Sequence, residues 1–254
     1  MQTNIRYILL TALRDWLFAG LLIGVAVAAM ISGAMGDMAM VEPQQLRIAY
    51  AAASCRLVLV VGLIVFVCFH VRNAFDTKEI DVFLSRPISR PNLVLSYWLG
   101  FSVVALLLVA PSLGIVAWVS PLSWEGFSLW AGTLALETLL VIAIALFSAF
   151  TLKSAVTSVI VSLGFYVLSR MMGFFIATAH SALLFQSADL NKLSQTVMEY
   201  LAIIVPRLDF FGKTQWLVYG VGQNMEIWQP VIQAAIFIPL LLTAAIVDFR
   251  RKQF

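Results

Sequence analysis

Of the 254 residues, 62% are hydrophobic and only 11% charged, with a mean hydropathy of +0.97; soluble domains carry roughly 25% charged residues, so the composition excludes one. Sixteen Lys and Arg against thirteen Asp and Glu leave a net charge of +3, too little for the basic surface that nucleic acid requires. The length admits several spans of about 20 residues but no sizeable soluble domain, so 1–254 reads as one all-α integral membrane domain.

In chain order, residues 2–15 come first and are amphipathic at helical period. Ile5, Ile8, Leu9, Ala12 and Trp16 fall on one side, with Thr3, Thr11, Arg14 and Asp15 largely on the other. This predicts an interfacial helix over 1–15, lying on the membrane surface; the competing reading is an extension of the first span. Six apolar stretches long enough to cross a hydrocarbon core of about 30 Å follow, at 16–34, 48–71, 93–119, 127–152, 155–178 and 228–247. The first ends in "SGA", a passable cleavage site, but its nineteen uncharged residues exceed a signal-peptide core and it reads as a retained span. An even number of spans puts both termini on one side. Arg6, Arg14, Arg72, Lys78, Arg86, Arg90, Lys153, Arg250, Arg251 and Lys252 fall on that side, against Arg47, Lys192, Arg207 and Lys213 on the other. The positive-inside rule then predicts cytoplasmic termini in a cell inner (plasma) membrane. Cys55 and Cys68 lie thirteen residues apart in one predicted helix, about 20 Å along its axis, too far to pair.

The connections are unequal. "SPLSWEG" and "KS" flank the fourth span and require tight antiparallel neighbours. By contrast, 179–227 forms a long outer loop, itself apolar. Within it the run 197–205 is too short to span and stops at Pro206, which predicts a partly re-entrant or interfacial segment, or a cap on the outer mouth.

Between the second and third spans, the loop 72–92 concentrates charge. Asp76 and Glu79 have the spacing of a helix N-cap and its capping-box partner, predicting a short helix from near Thr77. Ile80, Phe83 and Leu84 give it an apolar face, while Lys78, Glu79 and Asp81 point elsewhere. Pro87 ends it, and Ser89 is placed to cap the next helix, with Pro91 in its first turn. So short a helix is marginal in water. It must rest on the bilayer, on the protein's own helix ends, or in a partner, with the apolar residues as knobs and the charges as a rim.

The stretch "KEIDVFLSRPISRPNLVLSYWLGF" resembles the permease subunit of type-2 ABC transporters, which carry an acidic residue, an "LLSRPISR"-like motif and a following "LG" between the second and third helices. Glu79 matches the acidic position, Leu84, Ser85, Arg86, Pro87, Ile88, Ser89 and Arg90 the motif, and Leu99 and Gly100 the tail. Here the usual Glu-x-Gly-Thr-like run is Glu79-Ile80-Asp81-Val82, and Phe101 stands where Lys often follows. The interfacial N-terminal helix, "VPRLDFFG" at 205–212 and the terminal "DFRRKQF" extend the likeness over essentially the whole chain. The resemblance implies that Glu79, Ile80, Asp81, Phe83, Leu84, Arg86, Pro87 and Arg90 form a coupling helix seated in an ABC ATPase subunit. It also implies a second permease copy, identical or related, within the lipid bilayer, with room for accessory subunits. This chain has no G-x-x-x-x-G-K-[ST] stretch to cradle phosphates, so it is expected to be no enzyme, to carry no cofactor, and to leave ATP and Mg to the partner.

Arg56, Glu137 and Arg170 each fall inside a span, where charge is expensive. Counted from the outer span ends, all three lie at one depth, which predicts that Glu137 pairs with Arg170, Arg56 or both, within the subunit or across a dimer seam. A polar clamp between helices and a substrate contact both fit this placement. His70 and His180, at span ends, read as interfacial side chains. The leading expectation is the membrane subunit of an ATP-driven exporter for a lipidic or amphipathic substrate; the alternatives are an ion-coupled carrier or a membrane-embedded enzyme using Glu137.

Overall fold

The structure is a computed structural model, and it describes residues 2–38, 42–79, 89–119, 123–181, 188–221 and 228–251. All regular structure among these residues is helical: α1 (Gln2–Leu13), α2 (Trp16–Asp37), α3 (Pro43–Asp76), α4 (Arg90–Val119), α5 (Trp124–Thr151), α6 (Ala155–His180), α7 (Ala188–Ile204), a 3₁₀ turn (Leu208–Phe210), α8 (Gln215–Val218) and α9 (Trp228–Arg251). Six of these, α2 to α6 and α9, are long and apolar enough to cross a membrane. They are the six stretches read from the sequence, with one or both ends moved by up to five residues.

A break at Arg14 and Asp15 makes α1 a helix in its own right. The Asp15 carboxylate accepts from Leu17 N at 3.1 Å and so caps α2. Trp16, expected on the apolar face of α1, instead begins α2 and is 90% exposed. Buried Ile8 and Ala12 of α1 pack on α4, where Gly100 leaves room: a Cβ there would stand 2.9 Å from Ile8 Cγ2.

At 34 residues, α3 runs about 51 Å and overshoots a hydrocarbon core of about 30 Å. Its last turn corrects one expectation. Asp76 does not cap a new helix; it is the final residue of α3, and its carboxylate faces Arg72 one turn back at 3.5 Å. The chain breaks instead at Thr77, whose N–H donates to Asn73 O, and at Lys78, which takes a left-handed φ of 56°. Glu79 is helical after the break. Tertiary packing of Phe75 against Phe150 and Phe249 holds that turn in α3 and overrides the local capping signal. Ile80, Asp81, Phe83, Leu84, Arg86 and Pro87 lie outside the described residues. Since 72–76 and 90–92 belong to α3 and α4, the connection narrows to 77–89. Ser89 stands ahead of α4, its carbonyl accepting from Leu93 N.

The bundle is organised around α5: 78% of its most apolar window is buried, against 17% for α2 and 22% for α6. Packed on α5 are α3, α4, α6 and α9, while α2 rests on α3, with Gly24 against Val58, Gly36 against Arg47 and Leu21 against Gly62. One end of the bundle gathers α1, the end of α3, the start of α4 and the end of α9. There Phe75, Tyr97, Phe150 and Phe249 stack edge to face with ring centroids 5.2 to 6.3 Å apart, joining α3, α4, α5 and α9. At the far end, α7 lies against the last turns of α6, with Gln195 Nε2 donating to Ala179 O and Glu199 beside His180. The chain then turns at Pro206 and buries Val205, Leu208, Phe211 and Leu217 in the mouth of the bundle.

Candidate functional site: three spanning charges under the 205–212 loop

Three helices bring the intramembrane charges together from one chain. Glu137 on α5 is fully buried. Tyr166 of α6 donates its hydroxyl to Glu137 Oε1 at 2.8 Å, and Arg170, one turn on, stands 3.8 Å from the same oxygen. Arg56 of α3 reaches the same place, where its Nη1 lies 3.3 Å from the position a Cβ on Gly212 would take and Glu137 Oε2 lies 3.2 Å from it.

What fills the space between them is the backbone of the 205–212 loop. Arg56 Nη1 donates to Gly212 O at 2.7 Å. Arg170 Nη1 donates to Phe211 O at 2.8 Å and also to Leu208 O. Gly212 in turn donates its N–H to Thr133 Oγ1, one turn before Glu137 on α5. Gly212 holds a φ of +53°; that left-handed geometry and the missing Cβ are what let its backbone settle against two charged side chains. The two guanidiniums therefore donate to three carbonyl oxygens, which are stronger partners here than in water. Glu137 Oε2 is buried and has no hydrogen-bond partner among the described residues.

The loop is stitched on its other sides too. Arg207 pairs with Asp209 at 2.8 Å, and its guanidinium lies 4.0 Å over the Phe210 ring. Its N–H donates to Gln233 Oε1 of α9. The Asp209 carboxylate rests on Gly173 of α6, where a Cβ would come 2.3 Å from Oδ2. Residues from α3, α5, α6 and α9 thus hold eight consecutive loop residues in place.

Several of these partners were absent from the sequence reading. Thr133 and Tyr166 carried a usable signal, since each is four residues from a spanning charge and so on its face. Gly212 and the loop carbonyls carried none, because a backbone oxygen has no letter in a sequence.

At the opposite end, Glu79 and Arg90 are far from this cluster and flank the undescribed 80–88 stretch. Tyr7 of α1 donates its hydroxyl towards Glu79 at 3.5 Å. Arg90 Nη1 donates to Phe249 O and Arg250 O at 3.2 and 3.0 Å, closing the last turn of α9. His70 stacks on Phe101 and lines, with Arg14, Asp15 and Glu79, a cavity of about 490 Å³ beneath α1. Cys55 and Cys68 are buried free thiols.

No protein-family model and no curated protein matches this sequence. The chain is a polytopic, all-α membrane protein. A buried charge cluster closed by a loop at one end, and charged loop anchors at the other, are consistent with a transport role in general.

Proposed function

We propose that this chain is the transmembrane subunit of an ATP-driven exporter of the type-2 ABC class. Its termini face the cytoplasm of an inner-membrane complex, two permease copies line the path, and ATPase subunits dock on the segment between α3 and α4. One observation carries this reading: the two ends of that segment meet other helices. Arg90 is tied to the end of α9, directly over the ring cluster that joins α3, α4, α5 and α9, and Glu79 faces the Tyr7 hydroxyl of α1 at 3.5 Å. A segment mounted in this way passes a push to four spanning helices at once. The "LSRPISR" sequence supplies the apolar and charged residues that a socket would take.

The mechanism follows from α5. Phe150 sits in the ring cluster, and Glu137 lies thirteen residues earlier on the same helix, about 20 Å away along a rigid rod. Closure of the ATPases moves the 77–89 segment, the rings carry that motion into α5, and α5 shifts Glu137 and Thr133 beneath the 205–212 loop. The path then exchanges an inward for an outward opening. ATP and Mg act in the partner, and this chain supplies the lever and the gate.

Co-purification tests the reading. The full chain, co-expressed with an ABC ATPase subunit, is expected to retain it, and Phe83→Ala or Glu79→Ala to release it without loss of the folded membrane subunit. Transport that continues with no nucleotide-binding partner would overturn the proposal. It would favour the second reading, an ion-coupled carrier, whose support is Glu137 Oε2, buried with no hydrogen-bond partner among the described residues.

A further inference from the structure

We infer that Arg56 and Arg170 form the receiving site for the anionic head of an amphiphilic cargo, and that the 205–212 loop is a placeholder occupying that site between cargoes. This rests on the transport reading above and names the class of substrate. The side chains themselves supply the first argument. Two guanidiniums against one carboxylate leave a surplus positive charge inside the spanning region, and the one acid on the loop, Asp209, is already engaged by Arg207. Among the described residues, the surplus is met by neutral carbonyls, from Leu208, Phe211 and Gly212.

Three acceptor oxygens converging on two guanidiniums reproduce what a phosphate offers. An anion does this better, because charge-assisted bonds to Arg are roughly twice as strong as those between neutral groups. The head of such a cargo would therefore displace the loop rather than coexist with it, so that arrival of substrate and release of the plug become one event. Access supplies the second argument. α6 presents Val167, Leu168, Met171 and Phe174 outward, and the Arg170 side chain among them is 24% exposed. A molecule whose tail lies along α6 in the lipid brings its head to Arg170 from the side.

The probe is octyl phosphate, with octyl trimethylammonium as its opposite, applied to the full chain in phosphatidylcholine nanodiscs with Cys55 and Cys68 replaced by Ala. Leu208→Cys reports on the loop: position 208 is buried, so a water-soluble maleimide labels it slowly while the loop is seated. Octyl phosphate is expected to speed labelling by about tenfold, the equivalent of 1.4 kcal/mol, and the ammonium probe to leave it unchanged. In the Arg56→Gln/Arg170→Gln background, labelling should be fast with or without probe. Acceleration in phosphatidylglycerol discs alone identifies a lipid head as the anion, and acceleration by inorganic phosphate a free one.

A second variant works if the arginine changes prevent folding. A Cβ at 173 would lie 3.1 Å from Asp209 Cβ, a few tenths of an ångström below the usual Cβ–Cβ range of a disulfide, so a small outward shift of the loop lets a Gly173→Cys/Asp209→Cys disulfide pin it. Oxidised protein should bind octyl phosphate at least about tenfold more weakly than reduced protein. Equal labelling with both probes, no acceleration by any anion, or equal binding in the oxidised and reduced states overturns the inference. None of these readouts involves an ATPase, so loss of the exporter reading and loss of the anion site show up separately.

Discussion

Glu137→Gln isolates the charge of the buried carboxylate from its shape. Gln has nearly the same volume, and its oxygen still accepts from the Tyr166 hydroxyl, now 2.8 Å from Oε1. What disappears is the ion pair with Arg170 at 3.8 Å, worth about 4 kcal/mol at an effective dielectric constant of 20. Arg170 keeps its bonds to the loop and is partly exposed, which reduces the expected loss to about 3 kcal/mol, the low end for breaking a buried pair. The measurement is reversible unfolding of the full chain by SDS titration into mixed micelles, followed by tryptophan fluorescence. Glu137→Gln, Arg170→Gln and the double variant then form a cycle, in which the double variant should lose well under the sum of the two. Stability within about 0.5 kcal/mol of wild type, or single losses that simply add, would show that the carboxylate is not the anchor of this cluster.

Gly212→Ala and Gly220→Ala share the left-handed backbone penalty of about 1 kcal/mol, since their φ angles are +53° and +75°. Only position 212 adds contacts, at 3.2 Å from Glu137 Oε2 and 3.3 Å from Arg56 Nη1, while 220 faces open space; in the same SDS titration Gly212→Ala should therefore be clearly the more costly, and equal losses would remove the close approach. Gly100→Val pushes a side chain into Ile8, 2.9 Å from the Cβ position, and should lift α1 from α4, seen as faster proteolysis near Arg14 with the six long helices intact by circular dichroism.

The six long helices were legible because an apolar run of sufficient length has one solution in lipid, a helix that satisfies its own backbone. The common depth of Arg56, Glu137 and Arg170 was legible for the same reason, since a regular rise per residue turns sequence position into depth. Asp76 shows where such reading stops. Its capping-box spacing with Glu79 is a local pattern, and the packing of Phe75 on Phe150 and Phe249, between 75 and 174 positions away in sequence, decides that α3 continues through it. The loop at 205–212 was visible as a motif and a proline break. Its insertion among the charges was not, because the contacts run through carbonyl oxygens that any residue would supply.

The two ends of the molecule have matching construction, and that bears on how they communicate. At each end an arginine donates to backbone carbonyls of a distant segment: Arg90 to the end of α9, and Arg56 and Arg170 to the 205–212 loop. Arginine suits this task because its fixed fork of donors holds a backbone in register, where the point charge of a lysine would not. Between the two ends runs α5, the helix most enclosed by its neighbours, bearing Phe150 in the ring cluster at one end and Glu137 with Thr133 at the other. A helix enclosed on all sides cannot bend around a displaced end; packed interiors move as units. Any force that moves Phe150 must therefore either be absorbed at the rings or arrive at the loop.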